Sequence, residues 1–242
     1  MMCAIDNNHE TVDDLLHGEL KIIQRKKGVR YSADALLLAH FSLPFVDGKR
    51  VLDMGCGNGV VALIIAQRGS PKSVTGVEIQ QGLYELARRN AELNRTDPPV
   101  KVVLADAIDM ADTIPKKSMD IVVTNPPFRR AGSGRVSPDP ERAISRHEIR
   151  MDLPRWLDSA IRVTGTYGTI FLVYPVSEQK RLEKAVREKG LHIARRQYAL
   201  DRPEGRKRLV LVMITSGKCE TEELPAIPIE TEDGKFSLDG YR

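Results

Sequence analysis

The chain has 242 residues, 41% hydrophobic and 29% charged, enough for one large α/β domain and ordinary for a soluble globular protein. No apolar run is long enough to cross a bilayer, Met1 to Glu10 lacks a signal-peptide core, and three scattered cysteines (Cys3, Cys56, Cys219) argue against a disulfide framework and for a reducing cytoplasm. The net charge of +4 is uneven: Cys219–Arg242 carries seven acids and two bases, leaving 35 bases and 26 acids in a body that suits a polyanionic partner, or simply a solvated basic surface.

After a loose start, Thr11–Leu16 reads as a short helical turn, Leu20–Gln24 as a strand and Arg25–Arg30 as a basic turn. Asp34 is placed to cap a helix running through Ala39 to Phe41, with Leu36, Leu37 and Leu38 on its buried face. From Lys49 strands and helices alternate. Arg50–Met54, Ser73–Glu78, Val100–Ala105, Met119–Thr124 and Gly168–Tyr174 read as strands. Val60–Arg68, Gln80–Asn94, Leu153–Val163 and Glu178–Lys189 read as helices, with Glu85 placed to pair with Arg89 and Ser177 to cap the last. Ala107–Thr113 reads as a weak helix, and Leu191–Tyr198 with Arg208–Thr215 as a closing strand pair. Such alternation predicts a seven-stranded, doubly wound, mostly parallel α/β sheet with a small N-terminal cover. The expected division is a cover over 1–48, a main domain over 49–217 and a peripheral acidic tail over 218–242.

Two stretches carry chemistry. Val51–Gly59 runs from a strand through Asp53 into Gly55, Gly57 and Gly59 and opens a helix, which lets backbone approach a ligand closely. Val60 stands where a dinucleotide fingerprint needs its third glycine, and no Gly-Lys-Ser/Thr follows for a phosphate loop. An acid directly before the glycines fits a cationic or amine-bearing ligand better than a pyrophosphate. Cys56 reads most simply as a small residue packed in the turn.

The second stretch is Asn125-Pro126-Pro127-Phe128, at the C-terminal end of a β-branched strand, the edge where open α/β sheets bind ligands. The prolines stiffen the turn and hold Asn125 extended. The Asn125 side-chain oxygen and the Pro126 carbonyl are two acceptors for one planar amino group, and Phe128 can lie flat on the ring that carries it. Two acceptors on an aromatic amine favour a more tetrahedral nitrogen and aim its lone pair at an electrophile, with no dedicated strong base. A plain proline-bracketed turn is the competing reading of the tetrapeptide alone.

Asp53–Gly59 resembles motif I of the class I methyltransferases that use S-adenosylmethionine, and Asn125–Phe128 resembles their motif IV, found in members that act on planar amines and amides. The resemblance implies that Asp53, Gly55, Cys56 and Gly57 lie against the cofactor, with Glu78 on the ribose and Ile79 beside it. It places Asp106 and Ala107 at the adenine edge and brings Asn125 against both cofactor and target amine. Surface acid for Glu78 and helix cap for Asp106 are the alternatives. From about Asp14 to Thr215, and most densely over Gln24–Phe41, the chain is similar to the bacterial valine-tRNA adenine methyltransferases. That likeness implies tRNA as partner, the 6-amino group of an adenine as acceptor, and Tyr31 as part of the cofactor pocket. A guanine 2-amino group in rRNA, a protein glutamine, or an RNA-binding module that holds the cofactor without catalysis remain alternatives.

After Phe128 comes a long Gly- and Pro-containing stretch with six arginines (Arg129, Arg130, Arg135, Arg142, Arg146, Arg150) and three acids, placed to grip phosphates; Arg206, Lys207 and Arg208 extend that expectation. The five histidines show no metal-ligand spacing, so no metal is expected. Trp156, at helical spacing with Ala160, reads as core.

Overall fold

The computed structural model describes residues 5–28, 30–126 and 153–229. Among these residues fifteen helices and strands follow in chain order. They are β1 (Glu10–Leu15), β2 (Leu20–Arg25), α1 (Ala33–Ser42), β3 (Arg50–Met54), α2 (Val60–Arg68), β4 (Ser73–Glu78), α3 (Gln81–Asn94), β5 (Val100–Leu104) and β6 (Ile121–Thr124). The chain resumes with α4 (Leu153–Thr164), β7 (Thr169–Pro175), α5 (Gln179–Glu188), β8 (His192–Leu200), β9 (Lys207–Thr215) and β10 (Glu222–Pro228).

The main sheet has the order β10-β8-β9-β7-β6-β3-β4-β5. Strands β3 to β7 run parallel, β9 is antiparallel to both β7 and β8, and β10 lies parallel to β8. The chain leaves β3 towards β4 and β5, then returns to β6 on the other side of β3. The crevice between β3 and β6 is therefore the topological switch point, where the ends of neighbouring strands open towards a ligand.

Side-chain alternation builds one core on each face. Val51, Ile121 and Val123 face the layer of α1 and α2. Leu52, Met54 and Val122 face the layer of α4 and α5. The β3–β6 pair is fastened at both ends. At the start, Asp120 accepts from the Arg50 guanidinium at 2.7 and 3.0 Å and from its N–H at 2.8 Å; the guanidinium bond is the main reason the carboxyl falls to a pKa of about 2. At the far end, the buried Thr124 hydroxyl donates to the Met54 carbonyl at 2.8 Å.

Several local expectations fail for tertiary reasons. Thr11–Leu16 is not helical: Glu10–Leu15 pairs antiparallel with β2, with Asp13 taken by Gln24 and Arg30 and Glu10 by Arg89. Arg89 therefore does not pair with Glu85, which binds Arg88 instead. Ser32, not Asp34, occupies the cap position of α1, and Asp34 sits in the first turn. Ser177 lies in a 3-10 turn, Val176–Glu178, and supplies no cap bond to α5. Ala107–Thr113 forms only turns. The tail does not stay peripheral: Glu222–Pro228 adds an eighth strand to the expected seven, with Arg195 paired to Glu222 at 2.7 Å.

The β1–β2 hairpin is held by α3 in an unusual way. Asn94 donates to the Lys21 carbonyl and accepts from its N–H, both at 2.8 Å. One helical turn earlier, Asn90 does the same for Ile23, at 3.1 and 2.7 Å. Two amides spaced four apart on one helix face thus serve the open edge of β2 as a third strand would.

Candidate active site

The glycine loop leaves β3 with Gly55, Gly57 and Gly59 at φ +79°, +57° and +86°. All three are left-handed, where a side chain is strained. Gly55 and Cys56 both donate to the Val77 carbonyl at 2.9 Å, which pins the loop to the end of β4. Cys56 is buried against Gly76, where a Cβ would come within 2.8 Å of its sulfur, and burial pushes its thiol pKa well up. It packs the turn and offers no reactive thiolate.

Gly59 caps α2 but has no side chain to receive the helix's free N–H groups. Asp53 takes that part from the neighbouring strand: its Oδ2 accepts from Ala62 N–H at 3.1 Å. The carboxyl is 2% exposed and forms no ion pair with a described residue. Burial raises its pKa to about 7 against the opposing pull of the Ala62 bond, and the nearby charge of Glu78 adds to the rise. Glu78, also buried, binds Gly57 N–H through Oε2 at 2.8 Å and Gln80 N–H through Oε1 at 2.9 Å. Ile79, next in the chain, is 46% exposed, a large apolar side chain at the rim.

At the end of β5, Ala105 donates to the Glu78 carbonyl at 3.0 Å, bringing the third loop beside the second. Asp106 is exposed and accepts from Ile108 N–H at 2.8 Å, a local turn rather than a helix cap. Ala107 is buried, and its carbonyl accepts from the Ser159 hydroxyl of α4 at 2.7 Å.

Asn125 is half-buried and Pro126 buried, directly after Thr124. The Thr124–Met54 bond therefore sets Asn125 beside Gly55. Pro127, Phe128 and the arginines of 129–150 lie outside the described residues. Tyr31 stands at the entry to α1, half-buried, with its N–H donated to the buried Gln24 side chain at 3.0 Å.

Three contributors escaped the sequence reading. Trp156 is core, as expected, yet its indole N–H donates to Thr124 Oγ1 at 3.0 Å and its ring lies 3.4 Å from where a Gly55 Cβ would stand. Thr124 joins both loops. Asn90 donates to the Asn58 carbonyl at 3.0 Å and so ties the glycine loop to the hairpin. No spacing rule links positions so far apart in sequence.

These groups fit the cofactor that motif I implies. Two buried carboxylates face a glycine turn, a setting that favours a ligand bringing positive charge and hydroxyl donors. The Asn58 side-chain nitrogen is buried with no acceptor among the described residues, a further group for a ligand or water to satisfy.

Comparison with known proteins agrees. A family model described as the methyltransferase small domain matches residues 29–137. The tRNA1(Val) (adenine(37)-N6)-methyltransferase of Tolumonas auensis is 27% identical, over 90% of this chain and 90% of its own. The enzymes of that name from Erwinia tasmaniensis and Aeromonas hydrophila are each 30% identical, over 76% and 86% of this chain and 75% and 86% of their own. Among solved structures, one described as a predicted O-methyltransferase of Agrobacterium tumefaciens superposes with a TM-score of 0.64 at 20% identity, covering 85% of this chain and 92% of that one. A tRNA m1G37 methyltransferase of M. jannaschii gives 0.62 at 14%, covering 89% and 59%, and at such identities the likeness is one of fold. Glycine loop, switch-point crevice and relatives converge: the chain is a class I S-adenosylmethionine-dependent methyltransferase and belongs to the family of the tRNA1(Val) (adenine(37)-N6)-methyltransferases.

Proposed function

We propose that the enzyme methylates the exocyclic 6-amino group of an adenine in tRNA, within the anticodon loop. The observation that supports this reading is the Thr124–Met54 hydrogen bond, which holds the strand end leading into Asn125 against the strand end leading into Gly55. The names of the relatives supply the substrate class.

S-adenosylmethionine supplies, when bound, an electrophilic methyl group on a sulfonium. In this reading Glu78, held at the end of β4 by its bonds to the Gly57 and Gln80 N–H groups, accepts from the ribose hydroxyls. Asp53 and the backbone of Gly55, Cys56 and Gly57 border the methionine part, with Tyr31 closing that end. Ile79 covers one face of the adenine, and Asp106 with Ala107 meets its edge. Asn125 Oδ1 and the Pro126 carbonyl accept the two amine hydrogens and fix the nitrogen's lone pair in line. Phe128 stacks on the base, which must leave the loop stack to enter. The amine proton passes to water.

The test uses labelled S-adenosylmethionine with tRNA, rRNA and release factor from cells lacking the gene, followed by nucleoside and peptide analysis. Methyladenine in tRNA alone is the expected result. Label confined to guanine or to protein overturns the substrate assignment. In parallel, Asn125→Ala should abolish turnover and leave cofactor affinity nearly unchanged; an equal loss of both would remove Asn125 from its role at the amine.

A further inference from the structure

Several helix cations are paired: Arg68 with Glu19, Arg88 with Glu85 and Glu92, and Lys184 with Glu188. Exposed cations without an ion pair to a described carboxylate, such as Arg155, Lys180 and Arg187, are scattered over the helices, whereas the turn from β8 to β9 gathers four in seven residues. Arg202, Arg206, Lys207 and Arg208 are all exposed, and none reaches ion-pair distance of a described carboxylate. Of the two acids in the turn, Asp201 is spent on closing it, accepting Arg206 N–H at 2.8 Å. Glu204 occupies a left-handed position at φ +56°. Lys207 is held in place, its Nζ 3.6 Å from the centroid of the Tyr198 ring, whose hydroxyl is bonded to Gln179 at 3.1 Å.

The register locates this turn relative to the candidate site. Thr124 is level with Leu172 on β7, while Leu209 on β9 is level with Pro175, three residues further towards the rim. At about 3.3 Å per residue, Leu209 stands about 10 Å above the strand end that carries Asn125, and Lys207 about 17 Å above it. Strand spacing sets β9 about 10 Å and β8 about 14 Å to the side of β6. The turn is thus a cationic wall raised at the same rim beside the crevice, on the side away from the glycine loop. A nucleic-acid strand whose base enters beside Asn125 brings its flanking phosphates within reach of that wall, a few nucleotides away.

We propose that the β8–β9 turn is a phosphate-gripping arm that holds the backbone flanking the target nucleotide, with Arg202 and Arg206 as its principal contacts. This rests on the RNA reading above and adds to it the surface that holds the substrate in register. Guanidinium groups match phosphate oxygens in pairs, and such contacts position a strand without reading its sequence.

The test measures RNA binding by full-length wild type and by R202A/R206A, using tRNA from cells lacking the gene, over a salt series. Each lost single-strand phosphate contact lowers the log–log salt slope by about 0.7, so the double variant should lose about 1.4 in slope and about tenfold in affinity at 0.15 M salt. Cofactor affinity and melting temperature should stay at wild-type values. R202K/R206K, which keeps the charges, should recover most of the slope. Unchanged RNA affinity and slope in R202A/R206A overturn the arm while leaving the methyltransfer reading intact, as does a fall in turnover alone. Wild-type protein that binds no RNA overturns both.

Discussion

Asp53 gives the sharpest test of how the cofactor site works. Burial holds its carboxyl at about 7 instead of 3.8, so near neutral pH it is half-ionised in the free enzyme. A ligand that carries positive charge into the crevice favours the ionised form and must displace a proton to get it. About one-tenth of the molecules are ionised at pH 6 and about nine-tenths at pH 8, so affinity for S-adenosylmethionine should rise up to about ninefold across that interval. The ligand's own α-amino group titrates at about 7.7–8.0, so the slope must be compared with that of Asp53→Asn, which removes only the protein's share. Isothermal titration at pH 6, 7 and 8, in buffers of different ionisation enthalpy, measures affinity and proton release together. Stability should move the other way. A carboxyl raised on folding binds its proton more tightly in the native state, so the free enzyme loses stability as pH climbs from about 4 to about 7, by a total on the order of 4 kcal/mol. Asp53→Asn should keep the Ala62 bond, melt no lower than wild type at pH 8, and bind cofactor more weakly. A wild-type affinity profile that matches the variant's, with no extra proton released, would refute the reasoning.

Other expectations follow from buried bonds. Asn90→Leu leaves both backbone groups of Ile23 and the Asn58 carbonyl without their partner; calorimetry should show a loss of about 2–4 kcal/mol, with weaker cofactor binding as the glycine loop is released. Thr124→Val strips the Met54 carbonyl and the Trp156 N–H of their bonds and should lower kcat by about tenfold or more with a smaller change in cofactor Kd, while Thr124→Ser should keep most of the wild-type kcat; an unchanged kcat in Thr124→Val would show the hydroxyl to be dispensable. Gly59→Ala forces a side chain into a left-handed position 3.3 Å from the Ala87 methyl, and should cost about 1–2 kcal/mol in denaturant titration.

The local code was sufficient where chemistry and backbone demand coincide. Three alternating glycines after Asp53 require left-handed turns, and all three adopt them. The β-branched run before Asn125 forms a buried strand, and the alternation from Arg50 onward yields the parallel sheet. Tertiary structure decided what depends on distant partners. Thr11–Leu16 reads as a short helical turn until Gln24 and Arg30 claim Asp13 and Arg89 claims the neighbouring Glu10, and the acidic tail reads as peripheral until β8 offers a free edge to Glu222–Pro228. Asp53 shows the division most clearly. Its place before the glycines is a sequence signal, but its cap bond to Ala62 and its raised pKa arise only when a strand, a helix start and Glu78 close around it, because desolvation belongs to the folded surroundings and not to the residue.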